Sequence, residues 1–245
     1  MAQYWTALDI LKQIAGELGL PQPTTLTGVS DVQAIQLLSL LNSSGNELQL
    51  YYPWEQFVRE WVFDTVVDQA AYDLPSDYNY FTDQTQWDRT NHWPLLGPKS
   101  PQEWAWLKGA LVAALPRLRF RISDNQLLIF PTPTTGSSPS PFQLSMEYIS
   151  KNWVLAEGTS NEADMIVAGG DVVQYNPWLI IKFVKFKFYE LKGMNATGVQ
   201  AEFMRVYNSL TGKDTGAKIL SLSPQVTSQY IGPWSVPDGS WNVYG

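Results

Sequence analysis

Cysteine is absent from the sequence, and histidine occurs only once, at position 92. The absence of cysteine excludes disulfides, thiolate zinc sites and cysteine nucleophiles. A single histidine is too little for a histidine-based metal site, so we expect no cofactor. Charged residues make up only 16% of the chain, and the acidic excess gives a net charge of −7. This balance argues against a protein that wraps nucleic acid around its outer surface.

The sequence also lacks an apolar run long enough to cross a bilayer. Its strongest apolar run, residues 178–191, contains Lys182, Lys185 and Lys187, which are too many charges for a membrane span. The first five residues hold no basic group and no long apolar stretch, so we expect no signal peptide and synthesis in a cytoplasm. Aromatic residues are plentiful instead, with 11 Trp, 12 Tyr and 10 Phe in 245 residues. This composition predicts one large or two small globular domains with extensive protein contacts.

The most unusual stretch is residues 87–104, which hold three tryptophans, three prolines and the only histidine. We interpret this stretch as a rigid structural connector, because prolines fix the backbone and large rings anchor a segment to a core. The residues that would make the connector are Trp87, Trp93, Pro94 and Trp104. The alternative is a polar site of Asp88, Arg89 and His92 walled by indoles, although one histidine with one aspartate forms neither a metal set nor a catalytic triad.

Helical periodicity first appears near the N-terminus. Residues 6–18 carry one wide apolar stripe, and Gly19 suits the end of that helix. A second helix follows a cap at Ser30 and Asp31, and Gly45 is expected to end or interrupt it. These helices make up the predicted N-terminal part, residues 1–57.

The same periodicity returns near the C-terminus. Asn176 and Pro177 open the longest predicted helix, over about 177–192, and Gly193 closes it. A second helix over about 197–210 runs antiparallel to the first, because the connector is short. Its predicted apolar face consists of Phe203, Val206, Tyr207 and Leu210. Gly212 is expected to stop this second helix.

Between the helical regions the apolar period changes to two, which predicts strands. The strand patterns cover residues 59–67, 71–75, 117–123, 126–131 and 142–149. The first two predict a hairpin across residues 68–70, and the third and fourth predict the clearest hairpin of the chain, with its turn at Asp124 and Asn125. Ser100 and Glu103 are spaced as a capping box that starts an embedded helix over about 101–111.

These patterns together predict an α+β fold, in which a helical bundle from both chain ends joins a central, mostly β, sandwich-like domain. The predicted parts are an N-terminal helical part (1–57), a β domain with one embedded helix (58–155), a linker with a helical hairpin that completes the bundle (156–212) and an extended tail (213–245).

The tail, residues 213–245, has neither a helical nor a strand period and only four charged residues. Disordered tails are usually poor in aromatic residues, whereas this one contains several. We therefore predict that it lies along another surface through Tyr230, Trp234, Trp241 and Tyr244. Packing of the tail on the helices of its own chain is the alternative.

Two basic groupings share one face of an element. The strand grouping is Arg117, Arg119 and Arg121, and the helix grouping is Lys182, Lys185 and Lys192. Either face could meet phosphates or an acidic partner, and the lysines could line a channel, but a solvated face is the more typical role of such patterns.

The sequence lacks recognisable catalytic, phosphate-binding and metal-binding motifs. The sequence has no glycine-rich phosphate loop, no nucleophile elbow and no carboxylate pair at a useful helical spacing. Asp77, Asp83 and Asp88 lack the alternating spacing and glycine of a calcium loop. We therefore expect that the protein is not an enzyme.

A resemblance to a known family rests on short motifs in a fixed order. They are Tyr-Asp-Leu-Pro (72–75), Trp-Asp-Arg-Thr-Asn (87–91), Trp-Pro-Leu-Leu-Gly-Pro (93–98), Ser-Pro-Gln-Glu-Trp (100–104), Arg-Phe-Arg-Ile (119–122), Phe-Pro-Thr-Pro (130–133), Glu-Tyr-Ile-Ser-Lys-Asn-Trp (147–153) and the helix that ends at Gly193. Over about residues 5–212 the chain resembles the head-to-tail adaptor proteins of short-tailed bacteriophages and is similar to tail tubular protein A.

The resemblance implies a structural virion protein at the head–tail junction. Such adaptors usually form twelve-fold rings between the portal and the tail nozzle, and DNA passes through the central channel. The net charge of −7 leads us to expect that the DNA passes without tight binding. The implied partners are further copies of the chain, the portal, the nozzle, tail fibres or tailspikes, and genomic DNA. The alternative from another class is a carbohydrate-binding β module that stacks exposed aromatic residues on sugars.

Overall fold

The computed structural model describes residues 4–26, 31–109, 117–134, 142–159 and 161–214. Within these residues the chain forms five α-helices and three antiparallel sheets, which confirms the predicted α+β class. The predicted tail beyond Asp214 lies outside the described residues. These residues form two compact units. The helical unit comprises the described residues up to Val58 and from Ile149 onward, and the β unit is Arg59–Tyr148.

The helices begin and end largely where local signals place them. They are α1 (Ala7–Leu18), α2 (Val32–Tyr51), α3 (Pro101–Gly109), α4 (Pro177–Leu191) and α5 (Thr197–Asp214), with a short 3₁₀ helix at Glu55–Phe57. The Thr6 hydroxyl accepts a hydrogen bond from the Asp9 N–H at the start of α1, and the Asn176 side chain accepts one from the Trp178 N–H at the start of α4. Such caps satisfy N–H groups that lack a partner inside the helix.

Two predicted helix ends are wrong, and both involve glycine. Helix α2 passes through Gly45 without a break, because this position packs directly against the Trp153 ring. Helix α5 passes through Gly212 and continues to Asp214, whose carboxylate accepts a hydrogen bond from the Glu55 N–H at 3.1 Å. A glycine inside a helix costs only about 1 kcal/mol, so tertiary contacts can outweigh its tendency to end the helix.

Helix α4 is the centre of the helical unit, where α1, α2 and α5 all pack against it. Its side chains Leu179, Ile180, Ile181 and Val184 are completely buried, as expected for a helix that is covered on most sides. A small sheet of two-residue strands completes the unit. These strands, in their order across the sheet, are β1 (Trp5–Thr6), β12 (Val172–Val173), β10 (Val154–Leu155) and β11 (Glu162–Ala163).

The β unit contains nearly all of the other two sheets. The strands are β2 (Val58–Asp64), β3 (Ala71–Asp73), β4 (Tyr78–Phe81), β5 (Trp87–Asp88), β6 (Trp93–Pro94), β7 (Arg119–Ser123), β8 (Gln126–Phe130) and β9 (Gln143–Ser150). One sheet has the order β2-β9-β5-β6 with β4 also paired to β9, and the other has the order β3-β8-β7. Side chains from both sheets share one apolar cluster, which includes Phe120, Leu127 and Met146. The unit is therefore built as a sandwich, as predicted.

One predicted hairpin is confirmed and the other is wrong. Strands β7 and β8 pair around Asp124 and Asn125, which both have positive φ, as a tight hairpin turn requires. By contrast, β2 and β3 lie in different sheets, since β2 pairs with β9 and β3 with β8. The link between β2 and β3 crosses the sandwich, and the Tyr72 hydroxyl accepts a hydrogen bond from the Val66 N–H at 2.9 Å. Alternation along a strand identifies its buried face but not its partner.

Candidate functional site

The stretch that stood out in the sequence begins with a tight pair of strands, β5 and β6. Trp87 lies opposite Pro94, and Asp88 lies opposite Trp93. The Asp88 carboxylate is buried and accepts hydrogen bonds from the N–H groups of Thr90 and Asn91 and from the Asn91 side chain. The carboxylate of Asp88 is thus occupied in holding the turn.

The stretch then continues from one sheet of the β unit to the other. Leu96 forms a parallel bridge with Arg119 of β7, and the Lys99 N–H donates to the Phe120 carbonyl at 2.9 Å. A Cβ on Gly97 would lie 2.5 Å from the Phe120 carbonyl oxygen, so only glycine fits there. Residues 93–99 therefore link the two sheets of the β unit, while a rigid connector over the whole stretch stays a prediction.

The three tryptophans of this stretch differ widely in exposure. Trp104 is only 5% exposed and packs against Phe130, with ring centroids 6.3 Å apart. Trp93 is half-buried, and Trp87 is 44% exposed. Helix α3, which carries Trp104, starts at the predicted capping box between Ser100 and Glu103. Trp104 is therefore the only buried indole of the three.

The alternative polar site of Asp88, Arg89 and His92 is an open cleft of about 450 Å³ beside Trp87. The Arg89 guanidinium forms an ion pair with Glu60, and the same carboxylate accepts a hydrogen bond from the Ser145 hydroxyl at 2.8 Å. Within the described residues, no three His, Asp or Glu side chains are grouped so that they could hold a metal ion. The cleft therefore places polar and charged side chains beside the exposed indole of Trp87.

Two of the three lysines of the predicted basic face, Lys182 and Lys185, form ion pairs with the same carboxylate, that of Glu17. Lys182 and Lys185 of α4 each place Nζ 3.1 Å from the Glu17 carboxylate of α1, and Lys182 is also 3.3 Å from Glu202 of α5. Partial burial would raise the pKa of Glu17, but the hydrogen bonds from Lys185, Gln13 and Lys182 outweigh burial and lower it. These lysines thus link helices inside the unit.

The third lysine of that grouping, Lys192, lies at the end of α4 with its ammonium 5.4 Å from the centre of the Phe188 ring. A role of this lysine face in a channel or an interface stays a prediction. The arginine grouping alternates as expected, since Leu118 and Phe120 are buried while Arg119 and Arg121 are half-exposed.

A further surface, which the sequence did not single out, lies between α2, α4 and α5. We call it the α2–α4–α5 groove. It has a volume of about 340 Å³ and is lined by Tyr51, Phe183, Phe186, Gln200, Phe203, Met204 and Tyr207. Phe203 and Tyr207 belong to the predicted apolar face of α5, but the contributions of α2 and α4 depend on helix packing. Tyrosine and methionine side chains that stay exposed, such as Tyr51 and Met204 here, are residue types enriched at protein contact sites.

The predicted partner-binding residues of the tail lie outside the described residues. They are Tyr230, Trp234, Trp241 and Tyr244. Among the helices that are described, none combines the length and apolar character needed to cross a membrane.

The described residues thus form a packed helical unit, a β sandwich and an apolar groove. The class of protein follows from a comparison with protein families. The model of the SU10 adaptor protein matches residues 5–226, so the chain belongs to the SU10 adaptor protein family. No individual curated protein matches the chain significantly.

Family membership makes the chain a bacteriophage structural adaptor and a virion component. The expected class, a phage head–tail adaptor, is thereby confirmed. The narrower similarity to tail tubular protein A stays a prediction.

Proposed function

We propose that the chain is one subunit of a ring that joins the portal to the tail nozzle and lines the channel for the genomic DNA. The observation that carries this proposal is the match of the SU10 adaptor family over residues 5–226. The ring would contain twelve copies, assemble in the cytoplasm of the bacterial host and sit at the head–tail junction, where tail fibres or tailspikes are further candidate partners.

Three properties of the chain support this role. The α2–α4–α5 groove leaves apolar surface open on the helical unit. The net charge of −7 favours DNA passage without tight binding, because a channel that neutralised many phosphates would hold the DNA. The low-charge, aromatic tail suits attachment to the portal or to a neighbouring subunit.

The test is a native mass measurement of the purified chain, alone and with the portal of the same phage. We expect a ring-sized species with the portal, and a 1:1 ratio of rings to portals. A chain that stays monomeric with the portal, and that is absent from purified virions, would contradict the proposal.

A second candidate, glycan binding by the β unit, is favoured by one observation. Trp87 is 44% exposed beside the cleft that contains Arg89 and Glu60, and an indole face with charged hydrogen-bonding groups suits a sugar ring. Titration of tryptophan fluorescence with bacterial oligosaccharides would show saturable binding that Trp87→Ala abolishes. Unchanged fluorescence up to millimolar sugar would exclude this candidate.

A further inference from the structure

We propose that the α2–α4–α5 groove receives aromatic side chains from the C-terminal segment, residues 215–245, of a second copy of the chain. The inference rests on the proposed function and specifies how neighbouring subunits hold each other. It commits to one occupant of the groove, namely a segment of the same sequence supplied by a neighbour.

The groove has the chemistry of a ring-binding site. Its floor is a stack of phenyl rings, with Phe183 and Phe203 centroids 4.7 Å apart and Phe186 parallel to Phe203 at 6.3 Å. Its rims are Tyr51 and Met204, which are 54% and 43% exposed. Aromatic rings add to such stacks with favourable geometry, and methionine adapts its shape to an incoming ring.

Hydrogen bonds between two of its helices hold the groove in shape. The Tyr207 hydroxyl donates to the Tyr51 carbonyl at 3.1 Å, and the Tyr52 hydroxyl donates to the Thr211 carbonyl at 3.4 Å. These bonds tie the C-terminal end of α2 to α5, so the two rims hold a fixed separation. A preformed site loses little conformational entropy on binding, which leaves more of the contact energy for affinity.

The segment that follows α5 has the matching chemistry. Residues 215–245 contain only two charged residues, Lys218 and Asp238, together with Tyr230, Trp234, Trp241 and Tyr244. Such a composition gains from burial of its rings. Pro224, Pro233 and Pro237 restrict the backbone, so less entropy is lost when the segment docks.

The position of the last described residue, Asp214, favours a neighbouring copy as the source of the segment. Asp214 is held at the end of α5 by the Glu55 N–H, whereas the groove residues of α5, from Gln200 to Tyr207, lie further back along the helix. A segment in its own groove would have to reverse direction. When extended, the chain from Asp214 to Tyr230 spans about 50 Å, which exceeds the roughly 30 Å diameter of a small domain.

The groove and the segment are different surfaces of one subunit, so the contact between copies is heterologous. Heterologous contacts repeat from copy to copy and close into a ring when the rotation permits. One contact of this kind therefore gives the subunit arrangement that the proposed function requires.

The test uses two full-length variants and their mixture. The groove variant, Met204→Glu, places a carboxylate at an exposed position of the groove, and the tail variant replaces Tyr230, Trp234, Trp241 and Tyr244 by serine. By sedimentation and native mass, we expect each variant alone to associate at least ten-fold more weakly than the unmodified chain. An equimolar mixture should form a one-to-one heterodimer, because the tail of the groove variant fits the intact groove of the tail variant.

The matched control is Val32→Glu, which places a carboxylate at an exposed apolar position outside the groove, at the start of α2, where Val32 is 76% exposed. It should associate like the unmodified chain. Unweakened association of either variant, or a mixture that stays monomeric, would overturn the inference while leaving the ring proposal intact. An unmodified chain that stays monomeric even with the portal would instead contradict both.

Discussion

Gly45 of α2 packs directly against the indole of Trp153 in the helical unit, so closely that a Cβ on Gly45 would lie 2.3 Å from a ring carbon. The ring cannot move aside, because Trp153 is fully buried and its Nε1 donates to the Asn46 side chain at 2.8 Å and to the Asp164 carbonyl at 2.9 Å. The packing of Trp153 therefore requires glycine at position 45, in the middle of a helix.

Gly45→Ala should therefore destabilise the protein, although alanine is the better helix former. We expect a loss of about 1–3 kcal/mol in the free energy of unfolding, since overpacking a rigid core outweighs the gain in helix propensity. Urea unfolding followed by circular dichroism measures this change.

The control for Gly45→Ala is Gly212→Ala, in the last turns of α5. A Cβ there meets no atom within 4 Å, so the variant should gain up to about 1 kcal/mol. Equal effects of the two substitutions would show that the contact between Gly45 and Trp153 does not limit stability.

Glu17→Gln should weaken the helical unit in a pH-dependent way. The side chains of Glu17, Lys182 and Lys185 are at most 20% exposed, and the variant leaves both ammonium groups without this carboxylate. Because the pKa of Glu17 is lower in the folded chain, its charge stabilises the protein above the unfolded-state pKa, near 4.5, and this stability is lost as pH falls through the folded value.

We expect Glu17→Gln to cost about 1 kcal/mol at pH 7 and nearly nothing at acidic pH, where Glu17 is protonated. Thermal unfolding of both proteins across this range measures the difference. A constant difference at every pH would mean that shape, and not charge, explains the effect.

Alanine substitutions should rank the three tryptophans of residues 87–104 by burial. Trp104→Ala should cost about 3–5 kcal/mol because its ring is enclosed. Trp93→Ala should cost less, since Trp93 is half-buried, and Trp87→Ala should cost under about 1 kcal/mol. Melting temperatures give the order, and a Trp87 effect as large as that of Trp104 would contradict it.

The chain should not bind duplex DNA tightly. At physiological salt we expect the dissociation constant of the isolated chain to lie above the micromolar range, because a net charge of −7 offers little phosphate neutralisation. Fluorescence anisotropy with a short labelled duplex measures this constant. Submicromolar binding would require a basic channel surface, for which Lys192 would be the first position to test.

Features that depend on a few neighbouring residues follow from the sequence. The helix start at Asn176, the Ser100–Glu103 capping box and the turn at Asp124 and Asn125 form as predicted, because each is a hydrogen bond or a backbone preference within about four residues. The apolar periods likewise identify the class of fold, since they mark which faces must be buried.

The candidate contact surfaces were less predictable. The sequence indicated Phe203 and Tyr207 as the apolar face of α5, but the groove also needs Tyr51 of α2 and Phe186 of α4. Periodicity shows that a helix has an apolar face and leaves open how much of that face its neighbours cover. The packing of three helices decided that part of it stays exposed.

Pairing between distant segments was decided only by the tertiary structure. The sequence determined that β2 and β3 are strands, but the sandwich placed them in different sheets. It determined that Lys182 and Lys185 share a helix face, but the packing of α1 on α4 gave them Glu17, more than 160 residues away. Local preferences extend over one turn or one hairpin, whereas partners far apart in the chain are selected by the burial that they share.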